Sequence, residues 1–156
     1  MAQNDNRARS LARLAAVQAL YQMEQTGAGV ESVILEFNTH RLGGDLDGVA
    51  IHDADADYFA QIARGVVAAQ RRIDPFIERQ LAEKWTLSRL DATARAILRA
   101  GLYELTARPD TPFRVVIDEY VEIANAFFDG PEPQFINAVL DASARETRRD
   151  EFAAGA

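Results

Sequence analysis

An all-α protein is predicted by three observations. Apolar residues recur at intervals of three and four along most of the chain, strand-like alternation is nearly absent, and short Gly- and Pro-rich breaks separate the periodic runs. About seven helices with short connections make a helix bundle, and no internal repeat is visible. The length of 156 residues suits a single domain spanning 1–156. A chain of this size buries roughly two-thirds of its unfolded surface. Hydrophobic residues at 48% and charged residues at 26% describe a globular chain, not a disordered one.

The first helix runs from about Ser10 to Gln25, with Leu14, Val17 and Tyr21 along one side, and Thr26-Gly27-Ala28-Gly29 stops it. A shorter helix carries Val30, Ile34 and Phe37 before "RLGGDLDG", a loop expected to be the most mobile stretch. From Asp55, Phe59, Ile62, Val66, Ala69 and Ile73 repeat at helical spacing up to Asp74-Pro75. There a proline suits the first turn of a new, short helix with Phe76, Ile77 and Leu81, ending near Trp85.

The clearest stripe is Ala94, Ile97, Leu98, Gly101, Leu102 and Leu105, a central helix in which Gly101 admits a close neighbour. "RPDTP" ends it, and Ile117, Tyr120, Val121, Ala124 and Phe127 or Phe128 mark the next helix, closed by "DGPEP". The last helix buries Ile136, Val139 and Leu140. Beyond it "ARETRRDEFAAGA" loses its stripe and is expected to fray, so 1–6 and 148–156 are expected to be flexible.

Several chemistries are excluded or disfavoured. Without cysteine there are no disulfides, thiolate metal sites or cysteine nucleophiles. Asp53, Asp55 and Asp57 match the first ligand positions of a calcium loop, but Tyr58 stands where its glycine belongs and Arg64 where its bidentate glutamate belongs. The run reads better as acidic residues at a helix start, where the dipole favours negative charge. His40 and His52 lack a zinc-type partner spacing and read as exposed loop residues. No nucleophile elbow, P-loop or dinucleotide fingerprint is present, so neither an enzyme nor a cofactor is expected. No apolar run approaches the roughly 20 residues of a membrane helix, and a cytoplasmic protein without membrane contact is expected.

The formal charge of −7 repels phosphate overall without forbidding a local basic patch. Arg7, Arg9 and Arg13 form such a patch, with no carboxylate between them. Arg9 and Arg13, four apart, share a helix face distinct from that of Leu14, Val17 and Tyr21. A guanidinium fork matches phosphate and stacks on bases, which makes the segment a candidate RNA anchor. Taken alone, the same run fits a solvated helix end with ordinary surface arginines better than an anchor.

Five segments together resemble the NusB family of transcription antitermination factors. They are "AVQALYQME", "DADYFAQIARGV", "ARAILRAGLYEL", "VVIDEYVEIANAFF" and "FINAVLD", in that family's order and spacing. The resemblance implies an all-helical fold of two small subdomains, no catalysis, and binding of single-stranded boxA RNA from ribosomal operons. It also implies a partner, the small ribosomal subunit protein NusE, within the antitermination complex of RNA polymerase.

Carried over by position, the arginine-rich leader corresponds to Arg9 and Arg13 with Arg7 adjacent, and Gln18 follows on the same helix. Phe135 matches an aromatic at the RNA surface; its place at the edge of the last helix's stripe lets it point outward to stack on a base, or else it caps the core. Tyr21 and Arg99 correspond to the partner interface, Tyr21 having core packing as its alternative.

Two positions depart from the family pattern. Ser10 and Leu11 replace further arginines, thinning the leader, and Ala94 stands where many members carry a carboxylate. Two other readings compete with RNA laid across Arg9, Arg13 and Phe135. One is a homodimeric helical module. The other is the NusB-like domain of a ribosomal RNA cytosine methyltransferase, which needs a Gly-rich cofactor loop and a nucleophilic Cys that these residues lack.

Overall fold

The computed structural model describes residues 2–42, 45–46, 49–50, 54–83 and 85–154. Among them are seven α-helices: α1 (Ala2–Thr26), α2 (Val30–Glu36), α3 (Ala56–Gln80), α4 (Ala92–Ala107), α5 (Phe113–Phe127), α6 (Glu132–Thr147) and α7 (Arg149–Ala153). A π-helical turn, Phe37–Arg41, extends α2, and a 3-10 turn, Leu87–Arg89, precedes α4. The β content is one antiparallel ladder with Asp45 opposite Ala50 and Leu46 opposite Val49, β1 and β2. The expected mobility of "RLGGDLDG" falls largely on 43–44 and 47–48, and His52 and Asp53 also lie outside the described residues. The chain divides into two compact units, Met1–Ala68 and Ala69–Ala156, with the division falling inside α3.

In the first unit, α1 buries Leu11, Ala12, Ala15, Ala16, Val17, Ala19 and Leu20. Four of these are alanines, so a broad arc of the helix lies under its neighbours where a narrow stripe was expected. Leu14 is only half-buried and Tyr21 is exposed. The helix ends where Gly27 takes φ 75°, a left-handed conformation that suits glycine, and its N–H donates to the Met23 carbonyl at 2.8 Å. The core closes with Val33, Ile34, Phe37, Phe59, Ile62 and Val66, the Phe37 and Phe59 rings stacked at 5.4 Å. Asp55 caps α3 by accepting the Tyr58 N–H at 3.0 Å, and its own N–H reaches the Ala8 carbonyl of α1 at 3.0 Å.

Pro75 does not start a helix. It lies inside α3, which runs on to Gln80. An interior proline removes one backbone hydrogen bond and costs about 3 kcal/mol. Burial of Ile73 and Ile77 on either side of the ring helps offset this, as does a bidentate ion pair from Asp74 to Arg99 of α4, 2.9 Å at both oxygens. The two helices expected over 55–85 are therefore one.

The second unit centres on α4, as its stripe predicts. Ile97, Leu98, Leu102 and Leu105 are fully buried with Val116, Ile117, Tyr120, Ile136 and Leu140 of α5 and α6. A Cβ on Gly101 would stand 2.9 Å from Leu140 Cδ2, so glycine is what lets α6 come this near. The Tyr120 hydroxyl donates to the buried Glu104 carboxylate at 2.7 Å.

The tail departs from its expected fraying. Arg148, 7% exposed, donates to the carbonyls of Leu105 (2.7 Å), Arg108 (2.9 Å), Thr111 (2.9 Å) and Glu104 (3.3 Å), and to Glu151 Oε1 (2.6 Å). The end of a helix leaves carbonyls without intrahelical donors; here the guanidinium supplies one to Leu105 of α4 and one to Thr111, and adds a second donor at Glu104 and Arg108, whose carbonyls also accept the Arg108 and Thr111 N–H groups. Glu151 Oε2 in turn accepts the Phe113 N–H at 2.8 Å, and Phe152 stacks on Phe113 at 4.2 Å. These contacts hold α7 as a helical turn.

Arg148→Met, which strips the buried Leu105 and Thr111 carbonyls of their donor, should cost about 2–4 kcal/mol in urea unfolding; an unchanged midpoint would show the guanidinium to be dispensable. Burial pushes the Glu151 carboxyl up, but the Phe113 N–H and the Arg148 guanidinium outweigh it and hold the group below the ordinary glutamate value. A carboxylate lowered in the folded state stabilises fully above its unfolded value, and that contribution fades as pH falls through the folded one. The stability gap between the native chain and Glu151→Gln should therefore narrow as pH falls below the ordinary glutamate value, as measured by urea titration at each pH.

Candidate nucleic-acid interface

The basic leader lies on α1 in the first unit. Arg7 is exposed and Arg9 half-buried, whereas Arg13 is only 3% exposed. The separation of four residues brings Arg9 and Arg13 to one side of the helix, where both meet Tyr58. The Arg9 guanidinium carbon lies 4.8 Å from the Tyr58 ring centroid and that of Arg13 5.3 Å away, and Arg13 Nη2 donates to the Tyr58 hydroxyl at 3.4 Å. Tyr58 is itself buried, and the Asp55 cap sets its place in the first turn of α3.

The expectation of an anchor on a solvated face, opposite the packed one, therefore needs correcting. Arg13 sits among packed residues because Tyr58 gives its planar cation an aromatic face to lie against. Of the two departures in the leader, Leu11 belongs to the core, and the Ser10 hydroxyl donates to the Asn6 carbonyl at 3.0 Å. Gln18 is half-buried further along α1, and Tyr21 is 39% exposed. Leu35 and Val67 are exposed apolar residues of the same unit.

In the second unit Phe135 is half-buried in the first turn of α6 and lines a cavity of about 380 Å³ with Trp85, Arg89, Leu90, Ala94 and Pro131. Asp91 and Glu132 complete its wall. From the sequence, Trp85 reads only as a helix end; the available signal is a lone tryptophan in the polar stretch "EKWTLSRL", and the structure leaves it 47% exposed. Arg99 is held by Asp74, as described above, with 14% of its side chain exposed.

Three groupings thus emerge. Arg9 and Arg13 surround Tyr58, Phe135 joins Trp85 and Arg89, and Arg99 pairs with Asp74. No group of His, Cys, Asp and Glu suited to a metal ion occurs among the described residues.

Cationic side chains on one unit and an aromatic cavity on the other belong to a predominantly helical protein. Residues 10–145 match the NusB family model. The chain is 59% identical over 148 residues to the transcription antitermination protein NusB of Caulobacter vibrioides, covering 95% of this chain and 99% of that one. Among solved structures, T. maritima NusB superposes with a TM-score of 0.77 at 32% identity, covering 93% of this chain and 96% of the other. A crystal structure of the antitermination factors NusB and NusE in complex with double-stranded RNA gives 0.74 at 25% identity, covering 90% and 98%. The chain belongs to the NusB family.

The burial of Arg13 separates two roles within the leader. Arg13→Ala should lower folding stability by about 1–3 kcal/mol in thermal unfolding, whereas Arg7→Ala should stay within about 0.5 kcal/mol. Equal melting temperatures for the two variants would place Arg13 outside the packed structure.

Proposed function

We propose that this chain is a non-catalytic transcription antitermination factor that binds boxA RNA of ribosomal operons together with NusE, as part of the RNA polymerase antitermination complex. The observation that carries the reading is near end-to-end kinship with a transcription antitermination protein NusB, 95% of this chain against 99% of the relative. The solved complex of NusB and NusE with RNA supports the choice of partners. No helix among the described residues is long and apolar enough to cross a membrane, which fits work on nascent RNA in the cytoplasm.

Arg7 and Arg9 take the phosphate contacts in this reading, with Gln18 following on the same helix. Arg13 acts as a positioning residue: through Tyr58 it fixes α1 and so orients its neighbours. Phe135 supplies an aromatic surface for a base. Tyr21, exposed on α1, offers the apolar contact for the protein partner. Arg99 contributes to the partner face by locking α4 to α3 through Asp74.

The test is a fluorescence titration of single- and double-stranded boxA RNA, with and without NusE, across a salt series. The Arg7→Ala, Arg9→Ala double variant should bind less tightly and lose roughly 1–2 units of the slope of log affinity against log salt. An unchanged slope would remove the leader as the phosphate anchor. Absence of binding by the native chain, with NusE present, would remove the function.

A further inference from the structure

The cavity beside Phe135 is built more firmly than a chance surface dent. Trp85 follows the end of α3, and its N–H donates to the Ala82 carbonyl at 2.8 Å. The 3-10 turn behind it is clamped from two sides. The Leu87 N–H donates to Glu78 Oε1 at 3.2 Å, while Arg95 Nη1 donates to the Leu87 and Leu90 carbonyls at 3.0 and 2.7 Å. Asp91 is spent on capping α4, accepting from the Thr93 and Ala94 N–H groups at 2.8 and 3.4 Å. Ala94 adds only a methyl group to the wall.

Three features specify an occupant. Trp85 and Phe135 line one cavity with their aromatic side chains, and the Arg89 guanidinium lies 5.4 Å from the Trp85 ring centroid. Asp91 and Glu132 put two carboxylates against that single cation, a balance that repels phosphate and leaves a neutral planar group as the better guest. Glu132 Oε1 is buried with no hydrogen-bond partner. A buried acceptor of this kind is costly unless a donor reaches it. Gly130 makes room for it, since a Cβ there would stand 2.8 Å from that oxygen.

Resting on the RNA-binding reading, we propose that the groove between Trp85 and Phe135 takes one unpaired nucleobase of the bound RNA, stacked on the aromatic rings, with Glu132 accepting hydrogen bonds from its N–H edge. Guanine is the best match, because its ring N–H and amino group offer a carboxylate two adjacent donors. Trp85 and Glu132 thereby become specificity residues, reading the base while the leader holds the backbone.

Trp85 is the chain's single tryptophan, so its emission reports on this groove alone. The full chain is titrated with a fluorescein-labelled single-stranded RNA carrying one guanine in a uridine run, in parallel with the same RNA carrying inosine, which lacks the amino group. Anisotropy follows binding and tryptophan emission follows the groove. Emission should change in step with anisotropy. Trp85→Ala should weaken binding about 5- to 100-fold with the salt slope preserved, while Trp85→Phe, which keeps a stacking face, should stay within about fivefold of the native chain. Exchange of guanine for inosine should weaken the native chain about fivefold or more and leave Glu132→Gln nearly indifferent.

Saturating anisotropy with unchanged emission, or native affinity in Trp85→Ala, overturns the groove while leaving RNA binding intact. A flat response in both channels overturns RNA binding and the groove together. An emission change on adding NusE but not on adding RNA overturns the base assignment in favour of a protein contact. Helical circular dichroism of each variant separates lost binding from lost fold.

Discussion

Helix ends are the problem that organises the second unit. Each leaves backbone groups without partners, and in a close-packed interior those groups must be met by something other than water. Arg148 meets the Leu105 carbonyl of α4 and the Thr111 carbonyl of the following turn, and reinforces those of Glu104 and Arg108, which also accept backbone N–H groups. The guanidinium fork suits this because its donors diverge in a plane, whereas an ammonium would present a single point charge. Glu151 balances the buried cation and carries the arrangement on to the start of α5 through the Phe113 N–H. The opposite end of α4, fixed by Asp91, forms one wall of the aromatic cavity. A central helix fastened at both ends gives the second unit a rigid frame, and rigid frames hold recognition groups more accurately than loops do.

The two units use arginine in different ways. In the leader, Tyr58 sequesters Arg13 and flanks Arg9, so an apparently uniform basic run is graded from exposed to packed over two turns. Arg148 and Arg99 are structural cations. A family trait read as "arginine-rich" is therefore a mixture, and the share available to phosphate is smaller than the composition suggests. This is how a chain of net charge −7 can keep a local basic surface without a large positive field.

Periodicity made most of the fold legible. The stripe on α4 located the core helix, and Gly101 marked the close approach of α6. Three features escaped for physical reasons. Pro75 resembled a helix start because that rule is local, while the Asp74–Arg99 pair that carries α3 through it joins residues far apart in sequence. The tail has no apolar repeat, so its order, which rests on the polar contacts of Arg148 and one aromatic stack, left no periodic trace. On α1 the alanines blurred the boundary between buried and exposed faces, and Arg13 fell on the wrong side of it. At the site, Phe135 was visible as an aromatic at a stripe edge, but Trp85 was not, since it belongs to no helix and its partnership with Phe135 exists only in three dimensions.

The continuity of α3 across the division between units bears on how the protein can be dissected. No linker exists at that point: residues 68 and 69 are neighbours within one helix. A fragment that began there would open on four bare amide N–H groups, and one that stopped there would close on four bare carbonyls. Each half would then lack the end caps that Asp55 and the last turn of the intact helix supply, and the apolar residues near the cut would lose the helical order that presents them. The units are compact in space yet indivisible as covalent pieces, so trimming this protein to a minimal binding module means redesigning a helix terminus and not merely choosing where to cut.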